Sequence, residues 1–391
     1  MEYKLEELFD LQMGKTPSRN NSDYWNTKDN KWISIADLSK CGKYIGETKE
    51  YISDDAVENS GISKIPANTV VMSFKLSIGK TAITAEDMYS NEAIMSFHDK
   101  HIVNLIPEYV YYLLLAHDWT DGTNKAVMGK TLNKATLSKV KVNIHSSEEQ
   151  AEIVACLNSV ASVISARQRQ LEKLDDLVKA RFVELFGAYP HNPMGWKTGT
   201  IRDVVTDVRY GSSRPAVDGG KYPYLRMNNI TYGGELDLSD VKRIDVPENE
   251  LEKCTVRRGD VLFNRTNSKE LVGKTCVYDR DEMMVLAGFV IRVRVNDVVL
   301  PEFLSAFLNT DFSKRTLLGM CKAAIGQANI NAQEMQNIGI YIPPIELQRE
   351  FVQFKYQTDK SKVIEAINKA NTLFNITLNG GNRYDIRANE F

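Results

Sequence analysis

A chain of 391 residues, 43% of them apolar, is long enough for two or three cored domains and excludes a disordered or collagen-like polymer. No apolar run approaches the ~18 residues a membrane helix needs, and the start Met1-Glu2-Tyr3-Lys4-Leu5 lacks the apolar stretch of a signal peptide. The net charge of −2 disfavours a uniformly basic nucleic-acid binder, yet a basic face balanced by acidic helices elsewhere gives the same sum.

In chain order, the first half opens on a polar turn, Gly14-Lys15-Thr16-Pro17-Ser18. Thr69–Phe74 predicts a buried strand, followed by the turn Ile78-Gly79-Lys80-Thr81. Pro107 takes a first-turn position and opens the apolar helix Glu108–His117. After Leu132-Asn133 comes a long helix, Glu149–Phe186. Its apolar residues Ile153, Leu157, Val160, Ile164, Leu171, Leu174, Val178 and Leu185 follow a four–three spacing, with Arg167 and Arg181 at the skipped positions. That is a coiled-coil seam interrupted by two charges, roughly 57 Å long at ~1.5 Å per residue. Ser146 or Ser147 caps its start, and Gly187, Pro190 and Pro193 end it.

The second half repeats this grammar. Gly211-Ser212-Ser213-Arg214-Pro215 answers the first turn, and Val272-Gly273-Lys274-Thr275 the second. Pro301-Glu302-Phe303 answers Pro107-Glu108-Tyr109, Ile330-Asn331 answers Leu132-Asn133, and Glu346, Gln348 and Glu350 answer Glu148, Gln150 and Glu152. All five matches keep their order, at offsets of 194 to 198 residues. The chain is therefore a duplication, with a repeat too long for a solenoid. A second long helix is predicted from Glu346 to Leu378, after Ile342-Pro343-Pro344. Two long helices at equivalent places pack most simply on each other, antiparallel.

The order of these motifs resembles the specificity subunit of a Type I restriction–modification enzyme, over essentially the whole chain. The likeness is carried by Gly14-Lys15-Thr16-Pro17-Ser18, by Gly259-Asp260-Val261-Leu262-Phe263 and by Ile342-Pro343-Pro344-Ile345-Glu346-Leu347-Gln348. The stretch from Leu171 through Glu184-Leu185-Phe186-Gly187 looks like that family's central helix, and Ile144-His145-Ser146 departs from its usual Pro-Pro. The resemblance implies an α/β (α+β) chain with two similar target-recognition domains, residues 1–145 and 191–344. Two long coiled-coil-like helices, 146–190 and 345–379, separate them, and a tail, 380–391, follows. It implies that each domain reads half of a bipartite site in double-stranded DNA. The helices then act as spacer and as docking surface for two adenine-methyltransferase subunits, with Leu171, Leu174, Val178 and Arg181 on that surface. It implies no cofactor in this chain: the partners use S-adenosylmethionine, and ATP with magnesium where a restriction–translocation subunit joins.

Base reading needs fork-shaped or amide side chains, and anchoring needs Lys or Arg on phosphates. The clearest cluster is the polar run leaving the end of a strand, Asn264, Arg265, Thr266 and Asn267, returning to Lys274. Arg226 and Asn228 form a second cluster with Arg214, and Lys322 with Gln327 a third. The first half offers Lys15, Thr16, Arg19, Lys75, Lys80, Lys130 and Asn133, with Ser34, Asp37 and Ser73 nearby. Each taken singly reads equally as a solvated loop side chain, and Gly14, Gly79, Gly211 and Gly273 read first as tight-turn residues.

Catalytic readings fail on spacing. Gly79-Lys80-Thr81 and Gly273-Lys274-Thr275 lack the earlier glycine of a phosphate loop, where Phe74 and Ser268 stand. Pro343-Pro344 lacks the Asn or Asp and the aromatic residue of an adenine-methyltransferase motif. Asp37 with Glu47-Thr48-Lys49 mimics a nuclease set, without a counterpart in the second half. The five histidines and five cysteines have no metal-site spacing, which fits a reduced, cytoplasmic, non-catalytic chain. Two rivals remain: a recognition chain serving one partner that both methylates and cleaves, and a coiled-coil scaffold binding only protein.

Overall fold

The computed structural model describes residues 1–75, 77–119, 132–268, 271–321, 328–358 and 361–378. Lys130, Lys322, Gln327 and the tail lie outside them. The chain forms two compact units, Met1–Arg167 with Glu365–Phe391, and Gln168–Ile364. The long helices are thus shared between the units instead of standing as separate segments.

In the first unit, the predicted strand after Thr69 is Val70–Ser73, buried throughout. It lies inside a five-stranded sheet, between Ile94–Asp99 and Thr81–Thr84, with Phe9–Met13 and Tyr44–Ile45 at the edges. A three-stranded sheet of Glu50–Ile52, Asn30–Ile33 and Tyr89–Ser90 accompanies it. Glu2–Lys4 pairs antiparallel with Lys141–Asn143, so the first strand closes against the last one before the long helix.

The second unit builds the same parts. Val261–Asn264 lies between Val290–Val295 and Thr275–Val277, with Val205–Tyr210 at the edge. Tyr222–Leu225, Met284–Leu286, Lys242–Ile244 and Thr255–Val256 form the companion sheet. Lys197–Thr200 closes against Gly339–Ile342.

Backbone hydrogen bonds put the two units in register. Gly79 N–H donates to Ser73 O at 2.9 Å, and Gly273 N–H to Asn264 O at 2.8 Å. Lys15 N–H donates to Ser90 O at 2.9 Å, and Ser212 N–H to Leu286 O at 2.7 Å. Phe74 N–H meets Ala93 O, and Arg265 N–H meets Phe289 O, each at 3.0 Å. At Gly14 a Cβ would come within 2.2 Å of Ser90 O, and at Gly211 within 2.2 Å of Leu286 O, so only glycine fits this turn. The repeated glutamine has a structural reason too. Gln150 is buried, accepts from Ile106 N–H and donates to Asn104 O and His145 O. Gln348 does the same for Leu300 N–H, Val298 O and Pro343 O. Each satisfies orphan backbone groups where a proline-led helix meets the start of a long one.

That first long helix spans Ser147–Phe186, 40 residues. Ser146 Oγ accepts from Glu149 N–H while the Glu149 carboxylate accepts from Ser146 N–H, the expected reciprocal cap. Gly187, at φ 83°, ends it in the left-handed region. In the second unit its C-terminal turns meet the helix Ile345–Gln357. Phe186 and Phe182 pack on Phe351, and Arg181 reaches Glu350 and the Phe354 ring.

The predicted single helix Glu346–Leu378 is corrected. One helix ends at Gln357, where Thr358 turns to ψ 55° and its hydroxyl donates back to Phe354 O at 3.0 Å. A second spans Ser361–Leu378. A β-branched residue that bonds the preceding turn weakens helix continuation, and no apolar residue follows until Val363. Among the described residues no helix is long and apolar enough to cross a membrane.

Candidate nucleic-acid interface

In the second unit three of the predicted arginines converge. The turn after Val205–Tyr210 carries Arg214, the end of Tyr222–Leu225 carries Arg226, and the end of Val261–Asn264 carries Arg265. All three line a cleft of about 470 Å³, with Asn228, Met227 and Phe289. The Arg265 guanidinium sits 4.8 Å from the Tyr210 ring centroid, a cation–π placement that holds the fork without using up its donors. The Nε atoms of Arg265 and Arg226 are buried with no partner among the described residues. Arg214 grips Glu250 through two bonds, and Arg226 pairs with Asp240 at 2.8 Å. Phe289, 53% exposed, gives this mainly apolar cleft an aromatic rim.

Other members of that cluster are corrected. Asn264 is not a loop residue: it is the last residue of its strand, fully buried, and its amide has no partner among the described residues. Thr266 is buried in a short strand paired with Ala328–Asn329, its hydroxyl bonded to Asn329. Asn267, next in that strand, accepts from Ser268 N–H. Lys274 is 7% exposed and donates to Met227 O at 2.9 Å, so it supports the cleft wall from behind and faces no solvent-side phosphate. Burial lowers its pKa. Burial also pushes Lys314 down to about 8, and that ammonium donates to Gly273 O at 2.9 Å, bracing the same turn.

In the first unit the equivalent frame carries Lys15, Thr16 and Arg19, all exposed. Arg19 forms a fork with Glu50 and lies 3.6 Å from the Trp25 ring centroid. Trp32 Nε1 donates to Lys15 O, as the Tyr224 hydroxyl donates to Ser212 O and Arg214 O in the second unit. Lys75 is half-buried beside Phe74, and Lys80 is exposed beyond the Gly79 turn. Asn133 is exposed, and its side-chain oxygen accepts from Thr136 N–H at 2.8 Å, capping the helix Lys134–Ser138. Ser34 and Asp37 likewise cap one another. The sequence reading missed Phe289 and Glu92. Pairing Asn91-Glu92-Ala93 with Ala287-Gly288-Phe289 would have found both.

Residues 1–175 and 193–373 match the model of the family described as the Type I restriction modification DNA specificity domain. The chain belongs to this family. Its two matched stretches cover the two repeats. Among curated proteins, a Type I restriction enzyme specificity subunit from Escherichia coli K12, EcoKI, is 22% identical over 264 residues, 62% of this chain and 57% of its own length. The MjaIX specificity subunit from Methanocaldococcus jannaschii is 24% identical over 260 residues, 61% of this chain and 59% of its own length. The chain thus aligns with less than two thirds of these curated relatives. A solved chain from work on complex assembly and conformational transition of the type I R-M system superposes with TM-score 0.55 at 16% identity. It covers 99% of this chain and 98% of its own. That likeness supports the expected duplicated α+β fold.

Proposed function

We propose that this specificity-domain chain is the DNA-reading subunit of a Type I restriction–modification complex. Each unit reads one half of a bipartite duplex site, and the chain performs no catalytic step. The observation that carries this is the cleft where Arg214, Arg226 and Arg265 converge with an exposed aromatic rim. Arginine forks match guanine O6 and N7, and apolar rims suit thymine methyls. The Arg214–Glu250 and Arg226–Asp240 pairs are partly exposed and so cost little to exchange for phosphate or base contacts. Family membership supports the same reading.

The partners follow from this reading: duplex DNA and two methyltransferase subunits, with a restriction–translocation subunit where cleavage accompanies methylation. S-adenosylmethionine, and ATP with magnesium, would belong to those partners. Leu171, Leu174, Val178 and Arg181, none of them buried, are the proposed contacts on the long helix. Arg181 also carries an ion pair to Glu350, so its removal affects the unit as well as docking. The test is co-expression with the methyltransferase, followed by methylome sequencing. A two-part motif that disappears when this gene is deleted supports the reading, and methylation indifferent to the chain overturns it.

A further inference from the structure

The turn that closes the second unit's cleft carries Gly288, whose missing side chain helps keep the cleft open. A Cβ there would meet Ser212 O at 3.2 Å. The same turn in the first unit is fixed in register by the Phe74–Ala93 and Lys15–Ser90 backbone bonds, and it carries Glu92. Glu92 is exposed at the turn between Tyr89–Ser90 and Ile94–Asp99. The Thr16 hydroxyl donates to its Oε2. That bond, with the nearby charges of Lys75 and Arg19, holds the carboxyl below its usual range, so it is ionised at neutral pH.

A carboxylate among the basic residues of a DNA-facing surface is repelled by every phosphate. Beyond its bond from Thr16, it contributes to base reading only by accepting from a base edge. Thymine offers O4 in the major groove, and guanine offers N7 and O6, all acceptors that repel it. Adenine has the N6 donor but sets its N7 acceptor beside it, against the second carboxylate oxygen. Cytosine alone presents an amine with no adjacent acceptor of its own.

We propose that Glu92 selects a cytosine in the half-site read by the first unit, accepting a hydrogen bond from its exocyclic N4 amine. This rests on the reading of the chain as a DNA-recognition subunit and makes that reading specific. In the second unit, Gly288 leaves the equivalent place to Arg265, which prefers guanine. At this frame position the first unit therefore carries a carboxylate and the second a glycine, whose carbonyl the Arg265 guanidinium reaches at 3.5 Å.

The test compares methylomes of cells carrying the methyltransferase with wild-type chain, Glu92→Gln or Glu92→Ala. Glutamine offers an acceptor and a donor and fits adenine N6 and N7. The expected result is one C·G pair in one half-site read as A·T with Glu92→Gln and unspecified with Glu92→Ala. The other half-site stays unchanged. Binding of the purified complex to duplexes differing at that pair should lose ~10–100-fold discrimination. An unchanged motif in both variants overturns the assignment while leaving DNA reading intact. A wild-type complex with no defined motif overturns the DNA-reading proposal itself. If neither variant assembles, Glu92→Asp is read instead: it keeps the charge and withdraws it by one methylene. Weakened discrimination at the same pair supports the proposal, and undiminished discrimination overturns it.

Discussion

The two units share a frame and differ in what it displays. The glycine turn, the aromatic donor to that turn and the strand-end bonds recur in both. On that frame the first unit presents Phe74, Glu92 and Ala93, where the second presents Arg265, Gly288 and Phe289. Phe74 is buried in its unit's core, while Arg265 leaves the equivalent point for a cleft. The loop from strand end to glycine is also longer in the second unit, Asn264 to Gly273 against Ser73 to Gly79. Backbone hydrogen bonds hold the scaffold, so side chains on it are free to vary without unfolding it. A duplicated chain can then read two unlike half-sites.

Substitutions in the second unit test how far this separation of frame and display holds. Arg265→Ala removes the fork, its stacking on Tyr210 and one long bond to Gly288 O, but none of the backbone–backbone bonds of the frame. It should cost ~1–3 kcal/mol of discrimination at one base pair of one half-site, with thermal stability near wild type. Binding to duplexes permuted at each position measures this, and equal loss on specific and random DNA would move Arg265 to a phosphate role. Lys274→Met probes the frame instead. Without its ammonium the Met227 carbonyl loses a donor, at a cost of ~1–3 kcal/mol in unfolding. Chemical denaturation should show the loss, while the salt dependence of DNA binding should keep its slope. A reduced slope would restore Lys274 to the phosphate contacts. In the first unit, Asn133→Ala removes a helix cap worth ~1 kcal/mol and should leave the methylated motif unaltered. A changed motif would make Asn133 a base reader after all.

The sequence carried the scaffold well, because duplication and helix periodicity are patterns of many residues. The arginine cleft was half legible: Arg214, Arg226 and Arg265 stood out by chemistry, since forked cations near turns are few. Asn133, Thr266 and Lys274 look identical to readers in sequence, and only their partners reveal a cap, a strand pair and a buried brace. Glu92 escaped because none of the motif matches falls on the turn that carries it, whereas its counterpart is defined by cross-strand hydrogen bonds to Ala93 and Phe289. The break after Gln357 escaped for a similar reason: one hydroxyl bonded back to its own helix does not disturb an apolar pattern.

The long helix has one further consequence. From Ala161 to Leu177 none of its residues is buried, and none belongs to the core clusters of either unit among the described residues. A stretch without a buried residue should open at a lower free energy than the anchored ends. In the lone chain its amides should exchange with deuterated water well before those near Leu157 or Phe182, both buried. Trypsin should then cut first at Arg167, Arg169 or Lys173. Methyltransferase subunits docked along the helix would slow both processes, so limited proteolysis provides a direct footprint of assembly. Equal exchange along the whole helix in the lone chain would show that its middle is already supported from within.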